Sequence, residues 1–155
     1  MNPAELRGRK LHCDLNVPYH AEDKLTDRLK FIAKLGWDAV AITTLVKSGE
    51  QIPPPPPEVK ETHGLKVYSR VTIIIETQMD KYNVRSGKSS ANLGKYDVVC
   101  LIPSEEKLFA DCCKEIECDL IGFSEANQFD ARRGSVLAAL ARNIQFELNY
   151  SDWLR

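Results

Sequence analysis

Basic residues are concentrated in one polar stretch of the sequence and recur as an adjacent pair further on. The stretch 81–96 has four basic residues and no acidic one: Lys81, Arg85, Lys88 and Lys95. The pair is Arg132-Arg133. Lysine and arginine bind phosphate groups, and the planar guanidinium does so through two parallel bonds. Both features predict contacts to nucleic-acid phosphates, with a solvated surface loop as the alternative for the stretch and chance adjacency for the pair.

Within the basic stretch, Gly87-Lys88-Ser89 resembles the end of a nucleotide-binding P-loop. That motif requires a glycine five residues before Gly87, and Tyr82 occupies the position. The segment also does not directly join a predicted strand to a helix. We therefore exclude NTP hydrolysis and keep Lys88 as a candidate phosphate contact.

His12, Asp14 and Glu76 are the residues from which a metal-dependent phosphoesterase would have to be built. A hydrolytic metal centre needs three or more ligands that converge, usually with several histidines. Of the three histidines, only His12 lies on a predicted strand, and a strand histidine is more often simply hydrogen-bonded. The five cysteines lack the spacing of a zinc site. We expect no metal and no cofactor, and we retain the phosphoesterase as the alternative.

Three glutamates offer a further route to catalysis: Glu76, Glu125 and Glu147 lie at predicted strand ends or inward positions. Two such carboxyl groups can act as general acid and base. Charged residues are also routine at strand ends, and the sequence does not determine how far apart these three lie.

The elements that must position these residues alternate between strands and helices. Strands are predicted over 11–17, 38–46, 66–77, 97–102, 119–124 and 146–150. Helices are predicted over 24–35, in a short segment ending at Gly94, after a Ser104 cap, and from Ser135 to Arg142. Residues 78–96 otherwise read as a long polar connection. This alternation predicts an α/β fold with a parallel sheet and right-handed crossovers.

Of the two parallel α/β architectures, a βα barrel of the TIM type is favoured over a doubly wound sheet. No glycine-rich fingerprint follows the first strand, and several strands have a polar face that a barrel interior can hold. A complete barrel has eight strands and about 250 residues. The sequence therefore predicts a single partial barrel domain over 1–155 with six strands. Five consecutive prolines, Pro53–Pro57, predict that 47–64 is a stiff surface loop.

Arg70 is a charged residue in the middle of an otherwise β-branched and apolar strand. Strand alternation places Arg70 on the less apolar face, which predicts that it points into the barrel. Alternate strands fill the same interior layer, so Asp14 on the first strand is the candidate partner. We predict that Asp14, Asn16 and Arg70 are structural polar residues of the barrel interior.

Composition limits the classes of function. The net charge is −1, and 43% of the residues are hydrophobic, as in ordinary soluble globular proteins. Nucleic-acid binding must therefore come from a local patch. The polar start of the chain predicts no signal peptide, and no apolar run is long enough to span a bilayer, so we expect no membrane partner.

Several stretches together resemble the family of the 30 kDa protein subunit of ribonuclease P and ribonuclease MRP. Four are Asp14-Leu15-Asn16-Val17, Leu35-Gly36-Trp37-Asp38-Ala39-Val40-Ala41-Ile42, Ser69-Arg70-Val71-Thr72-Ile73-Ile74 and Tyr96-Asp97-Val98-Val99. Others are Glu106-Lys107-Leu108-Phe109, Arg132-Arg133-Gly134 and Phe146-Glu147-Leu148-Asn149-Tyr150-Ser151. The resemblance runs from about Leu11 to Ser151. It implies an incomplete relative of the metal-dependent phosphatase barrels, in which Asn16 and Pro18 replace both histidines of the Asp-x-His-x-His metal motif.

The resemblance implies a non-catalytic subunit that binds a catalytic RNA and supports removal of the 5′ leader from precursor tRNA. Implied partners are ribonuclease P and MRP RNA, precursor tRNA and other protein subunits. The implied location is the nucleus and nucleolus, with a link to rRNA processing. The family continues beyond the sixth strand, so the chain is expected to be a shortened version. A third hypothesis is an RNA-independent interaction protein that uses the proline run and open sheet edges.

Overall fold

The computed structural model describes residues 11–20, 25–57, 61–62, 64–85, 91–124 and 129–148. The elements are β1 (Cys13–Pro18), α1 (Leu25–Lys34), β2 (Ala39–Val46), β3 (Glu61–Thr62), β4 (Leu65–Ile75), α2 (Gln78–Arg85), β5 (Val98–Pro103), α3 (Glu106–Glu115), β6 (Leu120–Phe123), α4 (Arg133–Ala141) and β7 (Gln145–Leu148). Residues 91–93 are also helical. Among the described residues, no helix has the length and apolar character needed to cross a bilayer.

Within the described ranges, six strands pair in parallel in the order β1-β2-β4-β5-β6-β7, and the short β3 pairs antiparallel with β4. With helices between the strands, this is an open half-barrel. The prediction of an incomplete parallel α/β barrel is therefore confirmed. Consecutive parallel strands lie side by side because each crossover returns the chain to the next position in the sheet.

The register separates the sheet into two faces. Val71, Ile73 and Ile75 of β4 belong to the main buried cluster, which also contains side chains from α2, α3 and α4. Leu29 of α1 packs in a second cluster with Val40 and other strand residues. The helices therefore cover one face. The opposite, inner face carries Arg70 beside Thr43 of β2 and Val98 of β5.

A bulge changes the expected alternation of β1. Asp14 stands opposite Val40, but Val17 stands opposite Ile42, so β1 has one more residue than β2 over this interval. Val17 is consequently buried, whereas Leu15 is exposed. The period-two alternation of a regular strand is therefore interrupted in β1, because the bulge adds one residue between Asp14 and Val17.

The proline run belongs to the crossover between β2 and β4. Ile52, just before it, is buried in the main cluster. The Tyr96 hydroxyl donates a hydrogen bond to the Pro53 carbonyl over 3.1 Å, and the Asn92 amide donates to the Ile52 carbonyl over 2.9 Å. Because prolines have no backbone N–H, the proline run has no donors that need acceptors on neighbouring residues. The crossover is thus anchored to the sheet where its proline run begins.

Helix α2 falls inside the segment that was expected to be a long polar connection, and that expectation is wrong. The helix begins with a capping box, in which the Asp80 N–H donates to Thr77 Oγ1 and the Thr77 N–H donates to the Asp80 carboxylate. The sequence signal, Thr77-Gln78-Met79-Asp80, was present. Helix α4 begins at Arg133, two residues before the predicted start at Ser135.

Candidate nucleic-acid interface

Arg70 dominates the inner face of the half-barrel. Its side chain is 1% exposed, and its two terminal nitrogens donate to the two carboxylate oxygens of Glu147 at 2.7 and 2.6 Å. Nη1 also donates to the Leu15 carbonyl at 2.7 Å, and Nε donates to Thr72 Oγ1 at 2.9 Å. One guanidinium therefore joins β1, β4 and β7.

This geometry corrects the expected partner of Arg70, which is Glu147 rather than Asp14. The Asp14 carboxylate instead accepts a hydrogen bond from the Asn16 N–H at 3.0 Å. The register places Asp14 opposite Val40, which belongs to a helix-side cluster. The first and last parallel strands of the sheet both curl toward Arg70, and that curvature brings β7 within reach.

The electrostatics of the inner face favour the charged form of Arg70 and the neutral form of the Cys100 thiol. Burial alone would lower the pKa of Arg70, but hydrogen bonding to Glu147 and the interactions with Cys100 and the Glu147 charge together outweigh burial and raise it. Burial raises the pKa of Cys100 to about 11, although Arg70 opposes the rise. Glu147 is thus committed to an ion pair, which differs from the role of an acid or base open to a substrate.

The three residues of the phosphoesterase alternative do not come together. His12 and Asp14 lie at the amino end of β1, level with the start of β4. Glu76 follows Ile75, at the carboxyl end of β4. Ten strand residues at about 3.3 Å each separate these levels by roughly 30 Å. Glu125 lies outside the described residues, and so does His63.

Metal ligands do not cluster in the part of the chain that the structure describes. No group of three or more histidine, cysteine, aspartate or glutamate side chains is arranged there to hold an ion. The residues described do not supply the converging ligand set that a hydrolytic metal centre requires.

Lys81 and Arg85 lie on α2, and acidic residues of α3 neutralise them. Lys81 Nζ lies 2.7 Å from the Asp111 carboxylate and 3.6 Å from that of Glu115. Arg85 Nη1 lies 3.3 Å from Glu115. The expectation that the charges of this stretch lack local compensation is wrong for these two residues. Their acidic partners come from a helix that is thirty residues further along the chain.

The remaining predicted cations lie at opposite ends of the sheet. Lys95 is exposed just before β5, at the amino end of the strands, and donates to the Asn92 side chain at 3.3 Å. Arg132 and Arg133 begin α4, at the carboxyl end. A strand such as β5 separates the two ends by roughly 20 Å. Lys88 lies outside the described residues.

Arg132 and Arg133 differ in how they are held. Arg132 contacts the carboxylate of Glu106 at the start of α3, although its side chain is 77% exposed. Arg133 is exposed and has no ion-pair or hydrogen-bond partner within the described ranges. Among the described residues, the pair therefore presents one guanidinium without a partner and one that is loosely held by a surface carboxylate.

Arg142 is a basic residue with a structural task that the sequence did not reveal. Its guanidinium donates to the carbonyls of Cys112, Cys113 and Ile116, at 2.8 to 3.3 Å. These carbonyls end α3 and have no partner within the helix. Arg142 thus caps the end of a neighbouring helix, and no local sequence pattern announces such a contact.

Three aspartates at the amino ends of strands form a repeated device that sequence reasoning also missed. Asp38, Asp97 and Asp119 each precede a strand and accept the backbone N–H of the neighbouring one. The donors are His12, Ser69 and Val99, at 2.7 to 2.9 Å. The signal was an aspartate followed by two apolar residues, repeated three times.

Comparison with known proteins points to one family. The model of the family described as RNase P subunit p30 matches residues 12–155. The protein called "Probable ribonuclease P protein subunit 3" of Schizosaccharomyces pombe is 28% identical over 92% of this chain and 62% of its own length. Ribonuclease P/MRP protein subunit RPP1 of Saccharomyces cerevisiae is 26% identical over 92% of this chain and 55% of its own length.

A mammalian relative is similar over a shorter region. Ribonuclease P protein subunit p30 of Mus musculus is 32% identical over 61% of this chain and 35% of its own length. The chain thus spans between about a third and three fifths of these relatives. Because the family model covers nearly all of the sequence, the chain belongs to the RNase P subunit p30 family.

Proposed function

We propose that this chain is a non-catalytic protein subunit of ribonuclease P, and of ribonuclease MRP, in the nucleus and nucleolus. The observation that carries the proposal is the family match across residues 12–155. The yeast relatives named as ribonuclease P or P/MRP subunits align with 92% of this chain. In this role the protein assists an RNA that removes the 5′ leader from precursor tRNA and acts in rRNA processing, with other protein subunits as neighbours.

The arrangement of polar groups supports a role without catalysis in this chain. On the inner face of the half-barrel, Arg70 and Glu147 bind each other, so Glu147 is not open to a substrate as an acid or base. His12 and Glu76 lie at opposite ends of the sheet. Of the residues from which a phosphoesterase would have to be built, His12 and Asp14 therefore lie at one end of the sheet and Glu76 at the other.

RNA contacts are proposed at the cations that remain accessible. Arg133 and Lys95 are exposed, Arg132 is largely exposed, and Lys88 belongs to the same basic stretch. Lys81 and Arg85 are weaker candidates, because each would have to leave a carboxylate of α3 first. Contacts of this kind bind the phosphate backbone, so affinity falls as salt concentration rises.

The test is purification of the tagged chain from cells, followed by sequencing of the RNA that remains bound. Ribonuclease P or MRP RNA should be enriched, together with other protein subunits. The combined Arg133→Ala and Lys95→Ala variant should release this RNA at a lower salt concentration. Lys30→Ala with Lys34→Ala is the matched control, because it removes two charges from exposed positions on α1.

Two outcomes would count against the proposal. Recovery of subunit proteins without either RNA would favour the interaction-protein hypothesis. Stoichiometric metal in the purified protein, with phosphate-ester hydrolysis that Asp14→Asn abolishes, would favour the enzyme.

A further inference from the structure

A groove open to solvent lies between α3 and α4 on the helix side of the sheet. Its lining has three cations, two carboxylates and two small residues: Lys107, Lys114, Arg132, Glu105, Glu106, Ala110 and Ser135. Residues 107 and 114 are two helical turns apart on one face, about 10 Å along the axis. The small side chain of Ala110 lies between them, so the two lysines stand at either side of an open floor.

Two acidic residues of α3 face α2, whereas two of its lysines face the groove. Asp111 and Glu115 face α2, where they pair with Lys81 and Arg85. Lys107 and Lys114 face the groove instead. Neither lysine has an ion-pair or hydrogen-bond partner within the described ranges of the chain. The cations that sequence reasoning singled out on α2 are neutralised, whereas the two on α3 remain available.

Ser135 supplies a polar group to the same groove. Ser135 is only 6% exposed, but it lines the groove. Its hydroxyl has no hydrogen-bond partner among the residues that the structure describes. This hydroxyl is not sealed from solvent, so it is available to an acceptor that enters the groove beside the three cations.

In the unbound protein, Glu106 forms an ion pair with one cation of the groove. Its carboxylate contacts Arg132, and both side chains are partly exposed, at 39% and 77%. Exposed ion pairs of this kind contribute little to stability because water screens the two charges. A doubly liganded phosphate would therefore displace Glu106 from Arg132 at small cost.

We propose that the groove between α3 and α4 binds a phosphodiester of the RNA backbone. Lys107, Lys114 and Arg132 are its cationic ligands, the Ser135 hydroxyl donates a hydrogen bond, and Glu106 competes with the phosphate for Arg132. The inference rests on the proposed function, since it names the surface through which that subunit holds RNA. The groove is open at its surface, so a continuous strand can pass through it.

The first test compares two double variants of the full-length chain with the wild type. The probe is a transcript of ribonuclease P RNA, and the readout is affinity over a series of salt concentrations. Lys107→Ala with Lys114→Ala should weaken binding about tenfold at low salt and make the salt dependence shallower by nearly two counterions. Lys30→Ala with Lys34→Ala removes the same charge from α1 and should leave both quantities unchanged.

The second test isolates the competition at Arg132. Glu106→Gln should strengthen binding severalfold, whereas Glu105→Gln, the neighbouring groove residue, makes the same charge change without releasing Arg132. In an Arg132→Ala background the advantage of Glu106→Gln should shrink to that of Glu105→Gln. Ser135→Ala, which is nearly isosteric, should weaken binding without lowering the unfolding temperature.

The outcomes distinguish a failure of the groove proposal from a failure of the proposed function. If the wild type binds the RNA and the α3 and α1 double variants behave alike, the groove is not the binding surface and the proposed function stands. If the wild type does not bind the RNA, even with the subunits that co-purify with it, the proposed function fails as well. Equal effects of Glu106→Gln and Glu105→Gln would overturn the competition between Glu106 and the phosphate.

Discussion

Arg70 shows how a single residue can be both charged and buried. Its guanidinium is 1% exposed and places four hydrogen bonds on three partners: Leu15, Thr72 and Glu147. Removing one member of a buried pair leaves the other without compensation, which usually costs more than the pair contributes as a whole. At the residue scale, stability therefore depends on keeping both members or neither.

We predict that Arg70→Met lowers the free energy of unfolding by about 3 kcal/mol, because the Glu147 carboxylate loses its partner. The value lies at the low end of the usual range because Glu147 remains 24% exposed. The double variant Arg70→Met with Glu147→Leu should be more stable than Arg70→Met alone. Urea unfolding measures both. A double variant less stable than Arg70→Met would contradict the pairing.

Sequence alternation was sufficient to place Arg70 inside the sheet, but it could not identify the partner. The partner depends on how strongly six strands curl, which is a property of the whole sheet. The bulge in β1 changed the direction of Asp14, and no residue type between Asp14 and Val17 announces it. Residue-scale prediction thus succeeded for local periodicity and failed for contacts across the sheet.

At the element scale, the aspartates before the strands hold each strand start against its neighbour. Asp97 accepts both the backbone N–H and the hydroxyl of Ser69, at 2.7 and 2.8 Å. A carboxylate accepts such bonds more strongly than a neutral side chain does. The device fixes the register of β4 against β5 where the ladder begins.

We expect Asp97→Ala to increase the hydrogen-exchange rate of the Ser69 amide several-fold, because its acceptor is removed. Amides in the middle of β4, such as that of Ile73, should be affected much less. Nuclear magnetic resonance of the exchanging protein measures each amide separately. Glu117→Ala, a change at an exposed residue, is the control. Unchanged protection of Ser69 would show that the carboxylate is not its effective acceptor.

Asp80 connects the start of α2 with the loop after β2. Its carboxylate accepts hydrogen bonds from Ser48, Gly49, Glu76 and Thr77. Burial would raise the pKa of Asp80, but these hydrogen bonds outweigh it and lower the pKa below its ordinary value. The ionised form is therefore favoured in the folded protein.

A group whose pKa is lowered by folding stabilises the protein above its unfolded pKa, which is about 3.9 for aspartate. That contribution is lost as the pH falls from about 4 through the lower folded value. Asp80→Asn should be less stable at neutral pH and should lose less stability below pH 4. Denaturant unfolding at several pH values tests this, with Asp130→Asn at an exposed site as control. Parallel acid profiles for Asp80→Asn and the wild type would contradict it.

Element types were the most predictable part of the fold. Most strands and three helices follow periodicity and appear within a few residues of their predicted bounds. Helix α2 was missed because its residues are polar, although its capping box was readable. The groove between α3 and α4 was missed because Lys107 and Lys114 form part of a site only when α4 lies beside them. Charge compensation between α2 and α3 was unpredictable for the same reason.

For the whole molecule, the cysteines report whether the core is intact. Cys13 is exposed, whereas Cys100, Cys112 and Cys113 are buried and Cys118 is half-buried. Burial raises the pKa of Cys113 to about 11 and that of Cys118 to about 12. Only the thiolate is nucleophilic, so these groups are unreactive at pH 8.

Burial and Asp38 also raise the pKa of Cys13, but its thiol is exposed, so we expect iodoacetamide at pH 8 to modify it faster than the other four cysteines, which react only as the protein unfolds. Mass spectrometry of digested samples identifies each site. A Cys13→Ser variant should show no fast phase. Rapid modification of Cys112 or Cys113 in native conditions would mean that the helix-side core opens far more often than its packing indicates.

The Arg70 contacts also bear on the order in which the protein folds. They join residues that are 55 and 77 positions apart in the sequence. Closing long loops is slow, because much chain entropy is lost before the contact forms. Interactions that form after the rate-limiting step affect the rate of unfolding rather than that of folding. The Arg70–Glu147 pair is thus expected to form late in folding and to determine how slowly the native half-barrel unfolds.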